Sequence, residues 1–248
     1  MGFERIRVWR HLFGGSSDYG RVDQFETFQG QVELRNMIHA MREQGYFEKK
    51  LKDLQYVVID TESTGFSLQL DVLLSVAAVA FPQIDDHQVA SHYCSFIKLQ
   101  QGMDISDTVQ ELTGITRKHV ENAPSLVDVL QQLVVFIDDR VVVAHHAGHD
   151  MGFLNAGLRK TWGMELTVPV IDTGEVALHL HEFHKYPTLD MLLHLYDIAV
   201  LERHTALGDA WMTTLVWQKQ LELLLKENVE TLGSLWEIFI RERQKKLN

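Results

Sequence analysis

Tyr56-Val57-Val58-Ile59-Asp60-Thr61-Glu62-Ser63-Thr64-Gly65 decides how the chain is read. The first four residues are β-branched or aromatic, the composition of a strand buried on both faces, and the first strand is expected over Gln55–Asp60. Asp60 and Glu62 stand two residues apart at its end, so their side chains leave the sheet on the same side. Two like charges that close repel each other. Ser63-Thr64-Gly65 follows as a tight turn that brings backbone N–H groups near whatever the carboxylates hold.

On the C-terminal side, Val72–Phe81 and Val89–Ile97 read as two more strands joined through Pro82 and Asp85-Asp86, which suggests a meander. Helix and strand then alternate: Ser125–Ile137 helical, Val141–Ala144 a short buried strand, Asp150–Trp162 helical, Val168–Ile171 a strand. Pro124 and Pro187 mark helix starts, a long helix runs from Thr205 to about Lys226, and a last amphipathic helix covers Leu232–Lys246. The pattern is α/β with a mixed sheet. On the N-terminal side, Gly14-Gly15-Ser16-Ser17 reads as a flexible loop and Gln31–Tyr46 has helical apolar spacing. The expected organisation is therefore a helical extension over 1–50, a main domain over 51–228 and a C-terminal amphipathic helix over 229–248.

A chain of 248 residues can bury its own core without staples. The single cysteine, Cys94, excludes an intramolecular disulfide framework and reads as a small buried side chain. Met1–Arg10 has no signal-peptide core, and the longest near-apolar run, Val72–Phe81, is too short to span a bilayer. A soluble, cytoplasmic protein with no membrane partner is expected. The formal charge of −11 argues against a broad electrostatic grip on duplex DNA. That acidity is concentrated: residues 56–217 hold 8 Lys and Arg against 21 Asp and Glu. Carboxylates converging on metal ions would give part of it a use.

Three further residues extend the list of candidates. Asp150 lies just after the Val141–Ala144 strand, where an N-cap role alone would account for it. His204 and Asp209 stand five apart at the entrance to the long helix and can face one point if the loop folds back. Together, four carboxylates and one histidine suit two Mg²⁺ or Mn²⁺ ions, because hard cations take carboxylate oxygen and paired ions serve phosphodiester hydrolysis. Histidine supplies a base near neutral pH. His179, His181 and His184 do not fall on one helical face and have no accompanying cysteine, so they do not read as a metal site. Trp211 and Trp217 read as core residues of the long helix. A dinucleotide-binding domain is excluded, since no Gly-rich fingerprint follows the first strand.

Asp60-Thr61-Glu62-Ser63-Thr64-Gly65, Asp150, and His204 with Asp209 at matching spacing resemble the three motifs of the DEDDh superfamily of 3′→5′ exonucleases. Leu112-Thr113-Gly114-Ile115-Thr116 and Val170-Ile171-Asp172-Thr173 are similar to its lesser signatures, and the resemblance covers about Gln55 to Lys219. It implies a ribonuclease H-like fold, with a five-stranded mixed sheet, the first three strands antiparallel, and helices on both sides. It also implies Asp60, Glu62, Asp150 and Asp209 as ligands of two Mg²⁺ or Mn²⁺ ions and His204 as the base acting on water. Thr64 and Gly65 would recognise the 3′ end and Phe66 would wedge against the last base. One motif departs: where the family reads His-Asn-x-x-Phe-Asp, this chain has His145-His146-Ala147-Gly148-His149-Asp150, so His146 takes the place of a substrate-holding Asn. The implied activity is removal of nucleotides from DNA 3′ ends, single-stranded or frayed, with a DNA polymerase or other protein as partner through the terminal helices. An exoribonuclease, or a non-catalytic binding module on the same fold, is the alternative.

Overall fold

A computed structural model describes residues 45–81, 91–200 and 202–247. The expected loop at Gly14–Ser17 lies outside the described residues, as does the Gln31–Tyr46 helix except for its last two positions. The described residues all belong to one compact unit, residues 35–248.

Five strands build one sheet in the order β3-β2-β1-β4-β5. These are β1 (Tyr56–Ser63), β2 (Leu73–Phe81), β3 (Ser91–Phe96), β4 (Val141–Ala144) and β5 (Val170–Asp172). The first three are antiparallel neighbours, while β4 and β5 run parallel to β1, giving the mixed sheet expected. Val57, Val58 and Ile59 are fully buried and β2 is buried along its whole length, as interior strands covered on both faces should be. β5 starts at Val170, two residues later than expected, because Pro169 has no N–H to give a ladder; its carbonyl still accepts from Val142 at 3.0 Å.

Eight helices lie between and after the strands among the described residues. They are α1 (Asp107–Thr113), α2 (Arg117–Val120), α3 (Leu126–Ile137), α4 (Ala147–Trp162), α5 (Thr173–Leu180), α6 (Leu189–Leu195), α7 (Ala206–Lys226) and α8 (Leu232–Leu247). The expected starts coincide with caps: Ser125 closes a capping box with Asp128, and the hydroxyls of Thr188 and Thr205 accept from Met191 and Gly208 N–H. α7 lies on one face of the sheet, where fully buried Trp217 meets Tyr56 edge-on at 5.2 Å. Leu232, Leu235, Ile238 and Phe239 of α8 join the same apolar cluster. The chain before β1 is tied to the start of α8, since Leu51 N–H donates to Glu230 O at 2.7 Å and Leu232 N–H to Lys49 O at 3.2 Å.

Two expectations about burial are corrected. Cys94 is exposed, because β3 is the outer strand and only Tyr93 among its residues is buried. Trp211 is 36% exposed and sits 6.3 Å from the His92 ring, on the side of α7 turned away from the core that Trp217 fills.

Candidate active site

β1 outruns its parallel neighbour. Its pairing with β4 stops at Val58 opposite Val143, whereas its pairing with β2 continues to Ser63 through a bulge after Glu62. Asp60 and Glu62 share the face of Tyr56 and Val58, the face that packs on α7, and α7 brings Asp209 to it from its first turn. One oxygen from each of Asp60, Glu62 and Asp209 lies within 4.8 Å of the others.

Asp150 arrives from the other helical layer. The capping role that would account for it in isolation does not hold: α4 begins at Ala147 behind His146, whose left-handed backbone (φ 63°) starts the helix early and leaves Asp150 inside its first turn. There it is 97% buried, and Oδ1 accepts from Thr61 N–H at 2.9 Å and Thr61 Oγ1 at 2.7 Å. Thr61 points to the face opposite Asp60, so Asp150 reaches the end of β1 from behind and still adds to the negative potential at Asp60.

Burial first, then the charges of Asp150, Asp209 and Glu62, push the Asp60 carboxyl well above the usual range. Burial and Asp209 raise Glu62 to about 7, and burial raises Asp150 to about 7 against the Thr61 hydrogen bonds that oppose it. Such a cluster is costly unless positive charge compensates it. A divalent cation fits on a separate observation as well: Asp209 Oδ1 is buried with no hydrogen-bond partner among the described residues, while Oδ2 is held by Arg203. A hard donor set of carboxylate oxygens suits Mg²⁺ or Mn²⁺.

Around this centre the other expected residues take distinct places. Thr64 lies in the turn after β1, with its N–H on Val72 O at 2.9 Å and its hydroxyl on Asp71 at 2.9 Å. A Cβ on Gly65 would stand 2.5 Å from the Asp71 carboxylate and push it off its hydrogen bonds to Thr64 and Ser67. Phe66 projects from the same turn with 89% of its surface exposed, and its ring lies 5.6 Å from His149, which in turn meets Phe153 edge-on at 4.9 Å. His146 sits at the head of α4, its ring against Tyr186 at 4.9 Å. His204 is half-buried in the loop before α7, with a left-handed backbone (φ 62°).

Several residues that hold the site together were not among the candidates read from the sequence. Asp172 accepts from the N–H groups of His146, Ala147 and Gly174 and from the Tyr186 hydroxyl, which fixes the turn carrying the second motif. His145 hydrogen-bonds Thr173 through Nδ1 at 2.9 Å, and burial lowers its pKa to about 4, so the ring is neutral. Arg203 joins Asp209 to Asp190 of α6, with Nε 2.7 Å from Asp190 Oδ1. Asp172 and Thr173 stood within a recognisable segment, but Tyr186, Asp190 and Arg203 enter through contacts that no local spacing announces. Outside the site, His179 Nε2 lies 3.3 Å from a Glu227 carboxylate oxygen and His181 hydrogen-bonds the Tyr196 hydroxyl at 2.8 Å.

The order β3-β2-β1-β4-β5, with an acidic cluster at the end of its central strand, defines an α/β architecture with a carboxylate centre. Residues 57–216 match the exonuclease family described as RNase_T, and the chain belongs to that family. It is similar to the PolC-type DNA polymerase III of Bacillus subtilis, at 33% identity over 240 residues, 92% of this chain but 16% of that protein. The chain thus spans about a sixth of that relative's length. Among solved structures it resembles exonuclease X in complex with 5′ overhanging duplex DNA, with TM-score 0.56 and 20% identity over 74% of this chain and 99% of that one. The nuclease domain of 3′hExo, a DEDDh family member bound to rAMP, is similar at TM-score 0.56 and 17% identity, covering 70% of this chain and 94% of that one. No helix among the described residues is long and apolar enough to cross a membrane.

Proposed function

We propose that the chain is a 3′→5′ exonuclease that hydrolyses the terminal nucleotide from single-stranded or frayed DNA ends. The convergence of Asp60, Glu62 and Asp209, with a buried Asp209 oxygen left for a cation, carries this reading. Asp60, Glu62, Asp150 and Asp209 would hold two Mg²⁺ or Mn²⁺ ions, which supply Lewis-acid charge to the attacking and leaving oxygens of the scissile phosphodiester. His204, in the loop before α7, would take the proton from the attacking water, an act suited to an imidazole near neutral pH. Thr64 and Gly65 shape the turn against which the 3′ end rests. Phe66 offers an exposed ring that can stack on a base of any identity, and His146, which takes the place of the family's substrate-holding Asn, would help hold the strand. DNA is preferred as substrate because the relative sharing 33% identity is a DNA polymerase, and by the same token a polymerase is the proposed protein partner, reached through the terminal helices.

Incubation with 3′- or 5′-labelled single-stranded DNA, duplex DNA with a mismatched end, and short RNA, each with Mg²⁺, with Mn²⁺ or with EDTA, tests this directly. Release of single nucleotides from DNA 3′ ends only when metal is present is the expected result. Faster removal from RNA would reassign the substrate, and no cleavage of any strand would leave a binding module.

A further inference from the structure

We propose that Arg203 is the positioning residue for the carboxylate of Asp209, and that Asp190, on another helix, acts on the site through it. The inference rests on the reading of Asp209 as a metal ligand. The guanidinium spends two donors on Asp190, Nε on Oδ1 at 2.7 Å and Nη2 on Oδ2 at 3.3 Å, which is the planar fork that Arg forms with a carboxylate. Its remaining nitrogen, Nη1, donates to Asp209 Oδ2. With one oxygen held, the Asp209 carboxylate cannot rotate freely; its Oδ1 is buried without a hydrogen-bond partner among the described residues, and one oxygen of this carboxylate lies within 4.8 Å of Asp60 and Glu62. Ligating carboxylates depend on such outer hydrogen bonds for their orientation.

The backbone braces the arginine from behind. Arg203 stands between two left-handed residues, Glu202 (φ 47°) and His204 (φ 62°), and the Thr205 hydroxyl donates to Glu202 O at 2.8 Å. That same carbonyl rests against Gly208, where a Cβ would have no room, so the loop is clamped to the first turn of α7 one residue before Asp209. The Arg203 side chain is 18% exposed and that of Asp190 59% exposed, so Asp190 stands at the surface and its influence on the metal centre has to pass through the guanidinium.

A simpler role for Arg203 is that of a rival cation whose charge repels a metal, and the two roles predict opposite signs. Calorimetric titration of the full chain with Mn²⁺, with metal-free melting temperatures measured in parallel, separates them for Arg203→Gln, Arg203→Lys, Asp190→Asn and the double variant Asp190→Asn/Arg203→Gln. If Arg203 positions Asp209, Arg203→Gln weakens Mn²⁺ binding by about 10-fold or more. Arg203→Lys, which keeps the charge and loses the fork, does not rescue it. Asp190→Asn weakens binding by a smaller factor, and the double variant is no weaker than Arg203→Gln alone, because the two residues act in series. Unchanged or tighter binding by Arg203→Gln overturns the proposal, as does an additive double variant. If Arg203→Gln does not fold, the surface variant Asp190→Asn decides, and an unchanged Kd there overturns it. If the unaltered chain binds no Mn²⁺, the metal reading of the site falls and this inference falls with it.

Discussion

Thr61 donates both its backbone N–H, at 2.9 Å, and its hydroxyl, at 2.7 Å, to the same oxygen of Asp150, so the central strand and α4 meet at one carboxylate. Thr61→Val keeps the N–H and removes the hydroxyl. The expected outcome is a stability loss of about 1 kcal/mol, since a buried acceptor keeps only one of its two donors. Mn²⁺ affinity should fall roughly 10-fold through the looser ligand. Chemical denaturation and calorimetry on the one variant measure both, and unaltered metal binding would show that Thr61 serves the fold alone.

Burial and three neighbouring carboxylates raise the Asp60 carboxyl, with Arg203 opposing them. Asp60→Asn should abolish hydrolysis while raising the metal-free melting temperature, because the cost of burying that carboxyl among like charges, which Arg203 offsets only in part, disappears. A gain of about 1 kcal/mol corresponds to roughly 2–4 °C in a domain of this size. Cleavage at the original rate, with the substitution verified, would remove Asp60 from the mechanism.

Glu62 and Asp150 keep their protons to about pH 7, against ordinary values of 4.5 and 3.8, with burial the leading cause for each. A carboxyl pKa raised by folding means that the native state binds the proton more tightly than the unfolded chain. The resulting stability is complete below about pH 4 and is lost as pH rises through about 7. In EDTA the melting temperature should therefore fall between pH 5 and pH 8. With Mg²⁺ the cation takes over the role of the protons and most of that fall should vanish. Thermal unfolding across this range with and without metal is the check, and a metal-free curve that rises with pH would contradict it.

His204→Ala should reduce turnover by roughly 10²–10⁴-fold, the usual worth of a positioned acid–base group, with Mn²⁺ affinity retained. A histidine that served only the loop geometry, where its φ is 62°, would instead cost stability and leave the rate per folded molecule intact. Turnover, metal affinity and melting temperature measured together distinguish the two.

Phe66 is 89% exposed, so Phe66→Ala opens no cavity and should leave the melting temperature unchanged. If the ring stacks on a terminal base, strand binding should weaken by roughly 1–3 kcal/mol. Fluorescence anisotropy with a labelled oligonucleotide, both proteins carrying Asp60→Asn so that the strand is not cleaved, would read this. Equal affinity for both proteins would place the base elsewhere.

What the chain states locally was legible from its residues. The run Tyr56–Ile59 reads as a strand because its composition suits two buried faces, and the two-residue spacing of Asp60 and Glu62 puts both on one face through the strand's own period. Ser125, Thr188 and Thr205 announce their helices because a cap is made within four residues of its own helix. α1 carries equally local marks, Ser106 at its head and Gly114 (φ 70°) at its end, and could have been read the same way. Tertiary structure alone decided the rest. Asp150 and Thr61 are 89 residues apart in the chain, Tyr186 and His146 are 40 apart, and Arg203 and Asp190 are 13 apart across a loop. The exposure of Cys94 and Trp211 likewise follows from β3 being the outer strand and from the side of α7 that faces away from the core. Hydrogen bonds between distant residues, and the burial of one side of an element rather than the other, depend on which surfaces the folded sheet brings together, and a residue's sequence neighbours carry no record of that.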